Sequence, residues 1–547
     1  MSSGLPGGVA PEDVAPASGG LSHREILVVF SGLMLAMLLA ALDQTIVGTA
    51  LPTIVADLHG LNHLSWVVTA YLLTATTSAL LYGKISDLYG RKTIFQAAIV
   101  IFLVGSGLSG LSRNMTQLIV FRAVQGLGAG GLMVLAMTII GDIVSPRERG
   151  RYQGYFGAVF GLATVGGPLL GGFIVDNLTW RWVFYVNLPV GVVALAVIGI
   201  VLRDTVAHHR HRVDYLGAAL VTAGVSALLL VSVWGGQQYA WGSPEIIGTA
   251  IAGVVLITAF LLVERSAAEP ILPLHLFRNR VFVMSNGTGF VVGLAMFGAV
   301  IYLPIYLQLV RGVSPSISGL ELLPLVAGLF AASIGSGQII TRVGRYKVFP
   351  VVGTAVIALG LWLLSFLRSG TTLPVASAYM VVLGLGLGAV MQVLVLAVQN
   401  AVAHEDLGTA TAASTFLRSM GGTFGTSIFG AILTSRLAYN LPRLLPPGTP
   451  TRAIGSGAAS VSPADLRLLP APIRDAVVEA FVRSLHVVFL VGVPIAVVGF
   501  VLSLFLPEIH LRRTVRGESV PFAEAEFSEA TVAEAVAGAE APGASPG

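Results

Sequence analysis

Again and again along these 547 residues a run of about 20 mostly apolar residues ends in a short polar connection, and that is the length a helix needs to cross the hydrocarbon core of a bilayer. Inside lipid every backbone N–H and C=O must be satisfied within its own segment, so such runs have one outcome, a bundle of membrane-spanning helices. About fourteen are predicted, over residues 26–51, 64–83, 94–111, 116–141, 153–175, 182–202, 214–233, 246–264, 282–309, 315–341, 348–367, 373–399, 408–435 and 485–506. A single soluble core does not accommodate a chain that is 55% hydrophobic and 11% charged, with a mean hydropathy of +0.85, so lipid must cover most of the apolar surface. The net charge of +4 is too small to point to nucleic acid, and the lack of cysteine excludes disulfides, thiolate metal sites and cysteine nucleophiles.

Residues 1–24 are rich in Gly, Pro, Ala and Ser and lack the positive start of a signal peptide. They are expected to be a disordered tail, with the first apolar run kept as an anchor. Basic residues set the orientation, because short cytoplasmic loops hold an excess of Lys and Arg. Alternate connections carry Lys84, Arg91 and Lys92; Arg147, Arg149 and Arg151; Arg203, Arg210 and Arg212; Arg278 and Arg280; Arg342, Arg345 and Lys347. An even number of spans with both termini in the cytoplasm fits this alternation, and leaves 436–484 as a long extracellular loop and 508–547 as an acidic cytoplasmic tail. The expected setting is a bacterial cell membrane.

The chain also repeats itself. "GKISDLYGRK", from Gly83, recurs as "GQIITRVGRYK", from Gly337, 254 positions on, and "GLGAGGLM", from Gly126, matches "GLGLGAVM", from Gly384, at an offset of 258. Gly150, Gly167 and Gly172 return as Gly408, Gly425 and Gly430. Two six-helix halves, 25–203 and 266–507, are therefore expected to flank two linker helices within 204–265. Tandem halves around a midplane site are a transporter architecture, and the chain has no GxxxxGK[ST] loop for ATP, so an ion gradient is the expected energy source.

Four motifs sharpen this. In "GKISDLYGRK", Gly83 and Gly90 allow close helix approach and a sharp turn, while Asp87, Arg91 and Lys92 can lock a short cytoplasmic loop. In "FRAVQGLGAGGLM", Arg122 lies within a span with Gln125 one turn on, and a charge at that depth requires a polar cavity or a partner. "GLATVGGPLLGG" carries Gly167, Pro168, Gly171 and Gly172, which permit tight packing and free a backbone carbonyl. "LDQTIVGTALP" places Asp43 about 27 Å along the first helix, beyond reach of cytoplasmic water for a short side chain.

The first of these resembles the signature between the second and third helices of the major facilitator superfamily, with Leu88 where that pattern often has a basic residue. The glycine-proline motif resembles the antiporter signature of its exporters, with Ala163 at the first glycine position. Together with "WVVTAYLL", "WRWVFYVNLP" and "RSMGGTFG", the chain is similar over residues 25–505 to the fourteen-span drug:proton antiporters, the EmrB/QacA subfamily. Gly48 and Thr49 stand where that family often has an Asn-containing pair. The resemblance implies an all-α membrane fold and proton-driven efflux of amphipathic, hydrophobic or cationic compounds without a cofactor. It also implies a proton-coupling role for Arg122, to which Asp43 adds an exchangeable carboxylate. The expected partners are small-molecule substrates, protons and the lipid bilayer; protein partners are unknown. A dedicated exporter of one metabolite, lipid or endogenous antibiotic would carry the same motifs.

Further polar residues fall within spans. Arg418 has three readings: holding a counter-charge, joining the halves, or capping backbone. Glu321 is either an interfacial carboxylate or an attractor of cationic substrate, and Gln392 and Gln399, seven residues apart, are expected on one cavity-facing side of their helix. Trp180 and Trp182 read as interfacial belt residues. "SPRERG" reads as a capping box with Ser145 as N-cap and Glu148 at N3. His209 and Asp214 have the H-x4-D spacing of some acyltransferases, but they lie in a basic linker, so no catalytic residue and no metal site are expected.

Overall fold

The computed structural model describes residues 23–58, 64–202, 214–235, 238–267, 269–446, 466 and 469–511. Among these residues the fold is all-helical, with one isolated β-bridge between Gly235 and Tyr239. The N-terminal half comprises α1 (His23–Leu58), α2 (Leu64–Tyr89), α3 (Arg91–Gly110), α4 (Met115–Ile143), α5 (Pro146–Asn177) and a sixth pass split into α6 (Trp182–Tyr185) and α7 (Asn187–Val201). The linker pair is α8 (Tyr215–Trp234) and α9 (Pro244–Glu264). The C-terminal half comprises α10 (Arg280–Val300), continued by a short α11 (Tyr302–Ile305), then α12 (Pro315–Glu321), α13 (Leu323–Val343), α14 (Val348–Ser365), α15 (Leu373–Ala401), α16 (Leu407–Leu444) and α17 (Ala471–Leu504).

Helices thus stand at all fourteen expected places, and eleven of them are long and apolar enough to cross a membrane by length and composition. The spans containing α2, α10 and α16 fall outside that set; α16 is diluted by Gly, Ser and Thr that face other helices rather than lipid. Two boundaries move. Helix α16 runs on to Leu444 and α17 begins at Ala471, so the connection expected at 436–484 is far shorter. Residues 447–465, 467 and 468, with 1–22 and 512–547, lie outside the described residues, so the tails and the middle of that connection are left to sequence.

Packing follows the membrane rule that small residues, not apolar transfer, bring helices together. Gly126 and Gly130 on α4 lie against the backbone of α2, and Gly128 against that of α3, with no room for a Cβ. Helix α8 packs on α9, α2 and α16, so the linker pair leans on both halves; Trp66 meets Trp234 edge-on at 5.8 Å and the Ser427 hydroxyl donates to the Ser232 carbonyl at 2.5 Å. The outer face of α9, with Ile251, Val254 and Val255 exposed, is a surface for lipid.

Candidate functional site

Asp43 is fully buried on α1. Its Oδ2 accepts from Arg122 Nη1 on α4 at 2.5 Å, and its Oδ1 accepts from Gln125 Nε2 at 2.8 Å and Asn187 Nδ2 at 2.9 Å. Arg122 Nη1 also reaches Gln125 Oε1 at 2.7 Å, so the one-turn spacing of Arg122 and Gln125 puts both on the carboxylate. The Arg122 guanidinium lies 4.1 Å from the centre of the Tyr71 ring, and its Nε has no hydrogen-bond partner. Asn187, at the start of α7, is held by Ser106 Oγ at 3.0 Å. Neither Asn187 nor Ser106 stands out in the sequence; the one local signal is a lone amide at the break in the sixth span, in "VNLP".

The cage depends on how closely its helices approach. A Cβ on Gly105 of α3 would come within 2.8 Å of Gln125 Cβ, and the glycine face of α4 brings Tyr71 of α2 over Arg122. From the other side, Gly167 of α5 sits against Thr45 of α1 and Gly171 against the α1 backbone, where an added Cβ would stand 3.0 Å from the Ile46 carbonyl oxygen. The Thr45 hydroxyl donates to the Ala163 carbonyl at 2.9 Å. The glycine-proline motif is therefore the surface on which the Asp43 stretch of α1 rests, while a Cβ built on Gly319 of the other half would stand 3.5 Å from Pro168 Cβ. Gly172 is partly buried one residue on.

At the basic end of the bundle the two halves meet twice, in repeat-related fashion. Gly83 of α2 abuts Gly408 of α16, and Gly337 of α13 abuts Gly150 of α5. Both loops after these glycines turn through a positive φ, 96° at Gly90 and 78° at Gly344, which side chains other than glycine rarely adopt. Asp87 forms an ion pair with Arg91, and its Oδ2 accepts from the Thr409 amide and hydroxyl, both at 3.1 Å. Arg91 also donates to Asp142 Oδ2 at 2.8 Å and Ser86 Oγ at 2.6 Å. Burial holds the Asp87 carboxyl above the usual carboxylate range, against the opposing pull of Arg91. Lys92 follows in the first turn of α3, partly buried. At the second crossing Arg147 donates to the carbonyls of Thr341 and Arg342 at 2.9 and 2.7 Å. Between the two crossings, Gln399 of α15 bonds to Gln153 at 2.8 Å, to the Met137 carbonyl at 3.1 Å and to Thr411 at 3.0 Å.

The sequence model of the Major Facilitator Superfamily matches residues 33–426. The chain belongs to the major facilitator superfamily. It is 40% identical over 515 residues, 90% of its own length and 95% of the relative's, to the multidrug transporter protein MdtP of Bacillus subtilis. It is 33% identical over 522 residues, 93% of its own length and 94% of the relative's, to the major-facilitator-type transporter of the acurin A biosynthesis cluster of Aspergillus aculeatus. Among solved structures, the proton:xylose symporter XylE superposes with a TM-score of 0.57 at 14% identity, covering 89% of this chain and 96% of that one, a likeness of fold alone. The protein is thus a multi-pass membrane transporter with multidrug-efflux relatives, not an enzyme.

In this transporter the remaining polar residues separate. Glu321 pairs with Arg311 at 3.3 Å, so its charge is compensated rather than open to a cation. Gln399 belongs to the contact between the halves, not to a cavity face, because the repeat brings α4, α5 and α16 onto that end of α15. Gln392, seven residues earlier, is buried with its Oε1 unpartnered. Arg418 lines a cavity among α10, α15 and α16 of its own half. Trp180 is not a belt residue: it is buried, and its Nε1 donates to Asp57 at 2.8 Å, whereas Trp182 is half exposed. Ser145 is the N-cap of α5 but makes no cap bond to backbone; its hydroxyl reaches the Glu148 carboxylate at 3.2 Å instead. Asp214 caps α8 by accepting from the Gly217 amide at 2.8 Å, and His209 lies outside the described residues.

Proposed function

We propose that this transporter is a proton-coupled efflux antiporter that exports amphipathic, hydrophobic or cationic compounds from a bacterial cell, with both termini in the cytoplasm. The observation that carries the reading is the fully buried Asp43 with Arg122, Gln125 and Asn187 donating to its carboxylate. A buried ion pair of this kind is stable only while both partners stay charged, and removing one leaves an uncompensated charge at a cost of about 3–5 kcal/mol. A proton arriving on Asp43 therefore releases Arg122 from its counter-ion and alters what holds α1 to α4. Because α5 rests on α1 through Gly167 and Gly171, and packs on α13 of the other half, a change at Asp43 has a mechanical route to the interface between the halves. The crossings at Gly83–Gly408 and Gly150–Gly337 act as the cytoplasmic gate, closed in this conformation, and the halves rock to open it.

The test is pH-driven flux in proteoliposomes over a panel of cationic, neutral and anionic compounds. Asp43→Asn is expected to insert normally and lose flux driven by the pH gradient; full transport by that variant would sink the assignment. A second reading, a dedicated exporter of one endogenous metabolite, is favoured by the likeness to the biosynthesis-cluster transporter of Aspergillus aculeatus. Transport of several unrelated compounds in the panel decides for the broad exporter, and transport of one class alone for the dedicated one.

A further inference from the structure

The C-terminal half contains a second polar site that the proton-coupling reading does not use. Between α10, α15 and α16 lies a small cavity of about 10 Å³, room for one water-sized group. Arg418 and Ser414 of α16, Ser285 and Asn286 of α10, and the apolar Val292 and Leu394 contribute to its wall. Ser285 and Asn286 are 1% and 5% exposed, and neither the Ser285 hydroxyl nor either end of the Asn286 amide has a hydrogen-bond partner. Buried polar groups in a folded protein are nearly always satisfied, so three idle atoms around one cavity mark a place where a ligand supplies the missing partners.

The charge balance identifies that ligand. Arg122 in the other half is neutralised by Asp43, whereas Arg418 has no ion-pair partner among the described residues. Its backbone is held close to α10, because Gly293 packs directly on it and a Cβ there would come within 3.3 Å of Arg418 Cγ. The donors that converge are a guanidinium, a hydroxyl and an amide, with no carboxylate among the cavity's wall residues. We propose that Arg418, Ser285 and Asn286 form a binding site for a small inorganic anion, the size of group the cavity admits, with Val292 and Leu394 closing its apolar side.

The test is ligand-induced thermal stabilisation of the purified full chain in nanodiscs, followed by tryptophan fluorescence at constant ionic strength set with gluconate. Chloride and, as a carboxylate too large for the cavity, 4-phenylbutyrate are titrated in turn. A saturable rise in Tm with chloride, absent with phenylbutyrate, lost in Arg418→Gln and partly kept in Arg418→Lys, is expected. No anion-dependent rise in the wild type, or an equal one in Arg418→Gln, overturns the proposal. Should Arg418→Gln not yield folded protein, the Ser285→Ala, Asn286→Ala pair is expected to weaken anion affinity about tenfold, and unchanged affinity overturns the proposal equally. Proton-driven flux in the same preparations is read separately, so loss of the coupling reading leaves the anion result to stand or fall alone.

Discussion

A carboxylate held by three side-chain donors among apolar helices is a costly arrangement, and at Asp43 the donors come from two distant places in the sequence: Arg122 and Gln125 one turn apart on α4, Asn187 from the break between α6 and α7. Arg122→Ala leaves the charge of Asp43 uncompensated and is expected to abolish the pH dependence of flux; an unchanged pH dependence counts against a relay through Arg122. Asn187→Ala removes one donor to a charged acceptor, an interaction worth about 1.5–3 kcal/mol. Flux is expected to fall by about tenfold or more while the amount of inserted protein holds, and a wild-type rate in the same vesicles would make Asn187 a packing residue only. Asp43, Arg122 and Gln125 were legible because a charge or amide stands out in an apolar run. Asn187 carries only the weak signal of a lone amide in "VNLP", and Asp142 and Thr409, which complete the network around Arg91 and Asp87, carry no local signal because they belong to other helices.

At the scale of elements, the crossing of α2 with α16 joins the halves through glycine contact and the Asp87 network. Valine at Gly83 places side-chain atoms where Gly408 and Ala412 already stand, so Gly83→Val is expected to hold the crossing open. The chain has no cysteine, so spin labels introduced at the exposed Tyr89 and Glu405 report the separation directly. The long-distance population should dominate in Gly83→Val, and an unchanged distribution would show that the crossing is not a gate. The same pair tests pH. Burial raises the Asp87 pKa in the closed crossing above its value in an open, wetted one, so closure takes up a proton. That contribution to closure is fully present below the ordinary carboxylate pKa and is lost as pH rises through the raised value. The long-distance population is therefore expected to grow with pH in the wild type and to stay flat in Asp87→Asn; equal pH responses refute the assignment.

For the whole molecule, rocking of the halves makes a prediction about the seam of α5 and α13. A Cβ built on Gly157 lies 3.1 Å from Ser333 Cβ, close to disulfide range. The Gly157→Cys, Ser333→Cys pair, oxidised, is expected to stop transport and to recover it on reduction; transport at full rate with the bridge formed would rule out relative motion at this seam. By itself the sequence determined that the chain crosses a membrane many times as helices, because lipid leaves a long apolar run no other way to satisfy its backbone. It also determined the two-fold repeat, since identical glycine spacings 254 and 258 residues apart need no structure to be seen. The tertiary structure decided which polar residues are satisfied. Glu321 and Trp180 stood in apolar stretches much as Asp43 did, yet Glu321 faces Arg311 and Trp180 faces Asp57, while Arg418 faces no counter-ion among the described residues. A buried charge takes its meaning from what neighbouring helices bring within about 3 Å of it, and that is fixed by helix packing, which no single span encodes.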